Sequence, residues 1–271
     1  MRLLFLGTAA AEAWPGVFCR CEACQKARKL GGKDLRTRSS LMIDDNYKID
    51  FPPDTYAHVL RENLDLSKLE HLLITHGHED HLYPADLAMR SEPYAHISDA
   101  PPLAVYGNAY VLQRIEAALS ADELQGVRLQ LVEAGRPFTA GAARVTPLTA
   151  DHLLDKGAFT YLIEHQGRTI FYGLDSGWYP EATWELLRRY RLDMAILDCT
   201  HGSLPQERNH MGIEQVIRVK QALLAQGSAG PETVFVADHF SHNGLYPHHQ
   251  LEAAFSPHGI RVAHDGMTLE I

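Results

Sequence analysis

The segment Leu72-Leu73-Ile74-Thr75-His76-Gly77-His78-Glu79-Asp80-His81 constrains this chain more than any other. Its first four residues are apolar or β-branched, which predicts a buried strand over Leu72–Thr75. Four potential metal ligands then fall within six positions. Residues two apart in extended backbone point the same way, with Cα atoms ~6.5–7 Å apart, so His76 and His78 can grip one ion. Gly77 is expected to let the backbone turn tightly, so that Asp80 and His81 face a second ion nearby. Neutral imidazole and carboxylate are the donors that Zn, Mn or Fe takes in open catalytic sites. Sixteen histidines in 271 residues fit the same chemistry.

The rest of the chain reads as one domain over residues 1–271. Hydrophobic residues make up 45% and charged residues 22%, the composition of a packed globular core. A formal net charge of −9 disfavours nucleic acid as a partner, which needs a basic footprint. No apolar run reaches the ~18–20 residues of a membrane span, so no membrane partner is expected. Leu3–Leu6 is too short for a signal peptide and reads as a first strand turned by Gly7-Thr8. Further strands are expected at 41–43, 47–49, 103–106, 128–132, 143–148, 159–164, 169–173, 194–197, 233–236 and 268–271. Helices are expected at 22–30, 54–62, 85–91, 109–119, 181–190, 212–225 and 248–255. Many strands interleaved with helices predict an α/β fold of sheets covered by helices.

A second cluster, Cys19-Arg20-Cys21-Glu22-Ala23-Cys24, places three thiols within six residues. His242 follows His239 by three positions near the other end of the chain. Three thiolates and one imidazole make a tetrahedral zinc set, so Cys19, Cys21, Cys24 and His242 are expected to hold one structural zinc. Without a secretory leader, disulfides are the weaker reading of these thiols. Cys199, at the end of an apolar run, reads as a small core residue.

The HxHxDH spacing behind an apolar strand resembles the metallo-β-lactamase superfamily. That likeness implies an αββα sandwich, two mixed β-sheets flanked by helices. It also implies a later His completing the first metal site, a later Asp bridging both ions and a final His completing the second. His152, Asp175 and His239 follow in that order, each just beyond an expected strand. By resemblance, His76, His78 and His152 hold one ion, Asp80, His81 and His239 the other, and Asp175 bridges. The CxCxxC loop with HxxH further resembles the PhnP-type cyclic phosphodiesterases of the carbon–phosphorus lyase pathway, and more distantly PqqB. Departures from the PhnP pattern fall at Phe51-Pro52-Pro53-Asp54, in the loop Ala9–Phe18, at Asp238 and at His242-Asn243-Gly244. They are expected near the mouth of the site.

The resemblance implies a binuclear-metal hydrolase that opens a small cyclic sugar phosphate with a water activated between two divalent ions, Mn, Zn or Fe. Asp80 is expected within this catalytic centre, and His210, in Arg208-Asn209-His210, is the candidate proton donor to the leaving group. Asp50 and Asp198, each closing an apolar run, are placed to orient ligand histidines. The remaining histidines, His58, His71, His96, His165, His201, His248, His249, His258 and His264, read as surface or helix-end residues, and Trp14, Phe18 and Tyr83 as packing. The expected partner is a small-molecule phosphodiester, with a homodimer implied by the resemblance, and the expected location is cytoplasmic. Rival readings are a lactone or thioester hydrolase, a tRNase Z-like nuclease and a non-catalytic PqqB-like metal-binding protein.

Overall fold

A computed structural model describes residues 1–97, 100–152 and 156–271. The strands are β1 (Arg2–Gly7), β2 (Ser40–Ile43), β3 (Tyr47–Ile49), β4 (His71–Leu73), β5 (Leu103–Gly107), β6 (Val127–Leu131), β7 (Phe138–Ala140), β8 (Ala143–Thr149), β9 (Phe159–His165), β10 (Arg168–Gly173), β11 (Met194–Asp198), β12 (Val234–Asp238), β13 (Ile260–Val262) and β14 (Thr268–Glu270). They form two seven-stranded sheets, ordered β14-β1-β2-β3-β4-β5-β6 and β13-β12-β11-β10-β9-β8-β7. Both are mixed: β3 to β6 and β10 to β13 run parallel, and the remaining neighbours pair antiparallel. The helices are α1 (Glu22–Leu30), α2 (Thr55–Glu62), α3 (Ala109–Ala118), α4 (Glu181–Leu187), α5 (Ile213–Ala225) and α6 (His248–Phe255).

Alternation along the strands builds the layers. Leu3 and Phe5 face the space between the sheets, where Leu41, Ile49, Tyr161, Tyr172 and Ile196 meet them. Leu4 and Leu6 face the other way, into a cluster with Val105, Val111 and Ile115 that seats α3. On the far sheet, Leu162, Phe171, Ala195 and Phe235 pack against Val216, Val219 and Leu223 of α5 and Leu251 and Phe255 of α6. Apolar faces on both sides of both sheets require helices outside and a shared core inside, which is the αββα sandwich expected from the family resemblance.

The differences from the sequence reading are local. β4 ends at Leu73 rather than Thr75, because the Thr75 N–H leaves the ladder and donates to Asp50 Oδ1 at 2.8 Å. Residues 84–90 form a 3₁₀ helix instead of an α-helix, confined between Pro84 and Pro93. β7 and β13, of three residues each, were not expected. Four histidines read as surface or helix-end residues, His58, His71, His165 and His248, are buried. Phe18, read as packing, is 98% exposed. Among the described residues no helix is long and apolar enough to cross a membrane.

Lys48, in β3, is completely buried, and its ammonium donates to Ser40 Oγ and to the Asp50 carbonyl, each at 2.5 Å. Burial lowers its pKa from 10.5 to about 7. Between those values the unfolded chain holds a proton that the folded chain lacks, so this group makes stability rise with pH over that window. Chemical denaturation of wild type and Lys48→Met at pH 7 to 10 should show wild type gaining on the variant by at most about 1 kcal/mol per pH unit. Parallel curves would show that Lys48 titrates normally.

Candidate metal centre

Asp50, the 76–81 loop, His152, Asp175, Asp198 and His239 all lie at or just beyond the C-terminal ends of β3, β4, β8, β10, β11 and β12. Within each sheet these strands run in the same direction, so the ends share one edge of the sandwich. Chain segments distant in sequence therefore converge there.

The 76–81 loop is folded by local constraints. His81 and Leu82 N–H groups return to the His78 carbonyl, at 3.1 and 2.8 Å, and Phe51 N–H donates to the His81 carbonyl at 2.7 Å. The Arg114 guanidinium, from α3, donates to the Gly77 carbonyl. Gly77 is required here by close approach rather than by a left-handed φ: a Cβ would lie 2.6 Å from Tyr110 Cε1. The ligand histidines thus sit on the loop that follows β4.

Three ring nitrogens meet at the first position. His78 Nδ1 lies 2.9 Å from His76 Nε2 and 3.1 Å from His152 Nε2. Burial lowers the pKa of His76 and of His152, so these rings are neutral and their lone pairs face one another. Tetrahedral ligands at zinc distance are separated by about 3.3 Å, which is close to this spacing. The donor set therefore fits a divalent cation.

At the second position Asp175 Oδ2 lies 2.5 Å from His81 Nε2 and 3.3 Å from His239 Nε2, and Asp80 Oδ2 lies 3.2 Å from His81 Nε2. Ligand atoms of Asp80, His81, Asp175 and His239 all fall within 4.8 Å of one another. Burial opposes charge on His81, but Asp175, Asp80 and Asp50 outweigh it and hold that ring well above its ordinary range. His239 rises to about 9 against the same burial, chiefly through Asp175. Asp175 stays well below the carboxylate range, because His239 and His81 override its desolvation. Two buried carboxylates against two imidazoles is a site whose protons a cation would displace. Asp175 groups with this second set, and its Oδ1 is 3.4 Å from His210 Nδ1.

Two carboxylate–threonine pairs hold the rings. Asp50 Oδ2 accepts from His81 Nδ1 at 2.6 Å, while Asp50 also accepts from the Thr75 hydroxyl, which lies 3.0 Å from His76 Nδ1. On the other sheet Asp198 Oδ2 lies 3.0 Å from His210 Nδ1 and 3.5 Å from His239 Nδ1, with Thr200 Oγ1 2.7 Å from the latter. Both carboxylates were anticipated in the sequence; the threonines were not, although each lies within two residues of an expected site residue. Asp50, Asp175 and His239 adopt left-handed backbone, φ +61, +47 and +63, which costs energy and persists where the surroundings determine it.

The cysteine cluster also assembles. The sulfurs of Cys19, Cys21 and Cys24 and a ring nitrogen of His242 lie within 4.8 Å of one another, His242 Nδ1 being 3.4 Å from Cys21 Sγ. Backbone N–H groups of Cys21, Cys24 and Gly16 are aimed at the three sulfurs at 3.3–3.4 Å. Burial pushes the Cys24 thiol up to about 12, while hydrogen bonds from Cys21 lower Cys19. Thiols so arranged suit a cation that deprotonates them all. Cys199 is buried in the core, as expected.

A cavity of about 290 Å³ opens onto the His/Asp cluster. Its outer wall includes Glu12, His201, Asn209, His210, Ser241 and Asn243. His201, read as a surface histidine, belongs to this wall, and so does part of the 9–18 loop. The stretch 51–54 does not: Phe51 is buried beneath the ligand loop beside Leu69 and Leu87, so this departure lies away from the mouth. Asp238 is buried as well.

This sandwich and its mouth of His and Asp residues define a metallohydrolase fold with potential metal-binding clusters. The beta-lactamase superfamily domain matches residues 48–236, and the chain belongs to that superfamily. It is 32% identical over 158 residues to ribonuclease Z of Listeria innocua serovar 6a, covering 56% of this chain and 46% of that protein, so it spans about half the length of this curated relative. A diphosphatase of the PhnP family has a similar structure, with TM-score 0.78, 23% identity and coverage of 100% and 97% of the two chains. Zn-bound PqqB from Methylobacterium extorquens gives 0.75 and 20%, over the whole of both chains. Human tRNase Z, short form, gives 0.65 and 18%, over 100% and 99%. At these identities the structural matches establish the fold.

Gly77→Ala should destabilise the protein by about 1–3 kcal/mol in chemical denaturation, since its methyl would overlap the Tyr110 ring. Adding Tyr110→Ala should recover most of that loss. A neutral Gly77→Ala would place the reason for this glycine elsewhere.

Proposed function

We propose that the protein is a phosphoric diester hydrolase acting on a small cyclic sugar phosphate. The observation that carries this reading is the convergence of two ligand sets, His76/His78/His152 and Asp80/His81/Asp175/His239, at one small cavity that His78, His152, Asp80, Asp175 and His239 line. In this reading each set holds one divalent ion, Mn, Zn or Fe, with Asp175 between them, and Cys19, Cys21, Cys24 and His242 hold a structural zinc. When bound, the ion pair would supply a water nucleophile at neutral pH and neutralise charge on the phosphoryl group.

The protein's own groups do the rest. Asp50 holds His81 through its Nδ1, and Thr200, itself donating to Asp198, faces Nδ1 of His239, so Nε2 faces inward at both. His210 Nδ1 faces Asp198 Oδ2, which leaves Nε2 for the substrate. Burial opposes charge on His210, but Asp198 outweighs it and raises the pKa, which favours the protonated ring. His210 donates that proton to the departing alkoxide as the ring opens, leaving a phosphate monoester.

The likeness to ribonuclease Z favours a nuclease as the second reading. The formal charge of −9 weighs against a polynucleotide substrate. Bis-p-nitrophenyl phosphate, a ribose cyclic phosphate, a precursor tRNA and a lactone panel, assayed with the metal-reconstituted protein, separate these readings. Turnover of bis-p-nitrophenyl phosphate and the cyclic phosphate, but not of the precursor tRNA or the lactones, is expected; precursor tRNA cleavage or lactone turnover without cyclic phosphate turnover would overturn the proposal.

His210→Ala should lower kcat by about 10²–10⁴-fold with metal content unchanged. Metal analysis should find roughly three equivalents in wild type, one zinc fewer in Cys21→Ala, and loss from the His/Asp cluster in Asp80→Ala. Equal metal content in all three proteins would refute the two-site assignment.

A further inference from the structure

Glu12 stands between the two candidate metal sites. Its carboxylate accepts from Ser241 Oγ, and Oε1 lies 3.5 Å from His242 Nε2. The other nitrogen of that ring, Nδ1, faces the Cys21 and Cys19 sulfurs at 3.4 and 3.9 Å. Glu12 also lines two recesses, the catalytic cavity and the groove beside the cysteine cluster. Its place is tightly built. Ala10 N–H donates to the Phe240 carbonyl at 3.0 Å, and Ala9 bridges to both Arg38 and Phe240. The loop is thereby pinned to the segment that carries both His239 and His242.

The charge around the cavity is lopsided beyond the His/Asp floor. The outer wall offers Glu12, Ser241, Asn209 and Asn243 beside the imidazoles of His201 and His210, and no arginine or lysine lines it among the described residues. Two guanidinium groups of adjoining recesses are already engaged: Arg38 pairs with Asp54 at 3.1 Å, and Arg208 with Asp151 at 2.8 Å. Hydroxyls on the far end of a substrate would find acceptors and donors on this wall. A second phosphate beside Glu12 would meet its carboxylate with no arginine or lysine to offset it, an unfavourable like-charge approach in a partly desolvated cleft.

We propose that Glu12 is a specificity-determining residue: it selects substrates whose alcohol portion is uncharged and bears hydroxyls, excludes those carrying a second phosphate, and is held in place by His242 of the cysteine cluster. This selectivity rests on the phosphodiester reading of the cavity. A carboxylate on the outer nitrogen of a metal-binding imidazole also orients the ring and raises its basicity, which ties the wall of the cavity to the integrity of the cysteine site.

The test uses full-length, manganese- and zinc-reconstituted protein with glucose 1-phosphate and glucose 1,6-bisphosphate as calorimetric probes. Wild type should bind the monophosphate about tenfold more tightly than the bisphosphate, and Glu12→Gln should reduce that ratio to about threefold or less. In a chelator competition, Glu12→Ala should release zinc from the cysteine site about tenfold more readily than wild type. Equal binding of both probes by wild type, binding of neither, or a ratio unchanged in Glu12→Gln would each overturn the proposal. Zinc release without a change in ratio would leave Glu12 a purely structural residue and also overturn it. Turnover of bis-p-nitrophenyl phosphate is measured on the same samples. Its absence alongside the expected ratio would remove the phosphodiesterase reading and leave the selectivity standing; its presence without the ratio would do the reverse.

Discussion

Everything at the mouth of the sandwich depends on two buried carboxylates, Asp50 at the end of β3 and Asp198 at the end of β11. Each is completely buried, and a buried carboxylate is tolerated only where donors surround it. Asp50 receives the Thr75 N–H and hydroxyl and a His81 ring nitrogen. Asp198 receives the Thr200 and Met211 N–H groups and the Thr200 hydroxyl, with His210 beside it. The demand of each carboxylate for donors fixes the histidines around it. The two halves of the site are therefore built alike on opposite sheets: one Asp, one Thr, two rings.

The same arrangement explains why the histidines differ in charge. Burial governs the first set, so His76 and His152 are neutral donors with lone pairs converging. The second set lies among Asp80, Asp175 and the two orienting carboxylates, which hold His81 and His239 protonated when no cation competes. Both sets call for positive charge at their centres, one through unshared lone pairs and the other through excess carboxylate. The left-handed backbone at Asp50, Asp175 and His239 shows that the fold holds these residues against local preference.

The cysteine cluster is not an isolated staple. Its histidine, His242, follows three residues after His239, and the loop that delivers Cys19 passes along the cavity at Ala10, Ala11 and Glu12. Local order at one site therefore constrains the wall of the other. The 9–18 loop, where the chain departs from the PhnP pattern, lies on that wall, whereas the equally divergent 51–54 stretch supports the ligand loop from below.

Much of this was legible in the sequence because the signals are short-range. The HxHxDH spacing, the CxCxxC cluster and the apolar run Leu3–Leu6 turned by Gly7-Thr8 are set by neighbours a few residues apart, and backbone periodicity turns such spacings into geometry. Asp50 and Asp198 were visible as polar residues closing apolar strands. Only the tertiary structure decided the rest, since it depends on atoms brought together across the chain. Gly77 is needed because Tyr110 of α3 approaches it, and β4 stops early because Asp50 captures the Thr75 N–H. His58, His71, His165 and His248 are buried by contacts that no local pattern announces, and Glu12 gains its position from Ser241 and His242, over two hundred residues away. Spacing along a strand is fixed by covalent geometry, whereas the partner across a cavity is fixed by how two sheets pack.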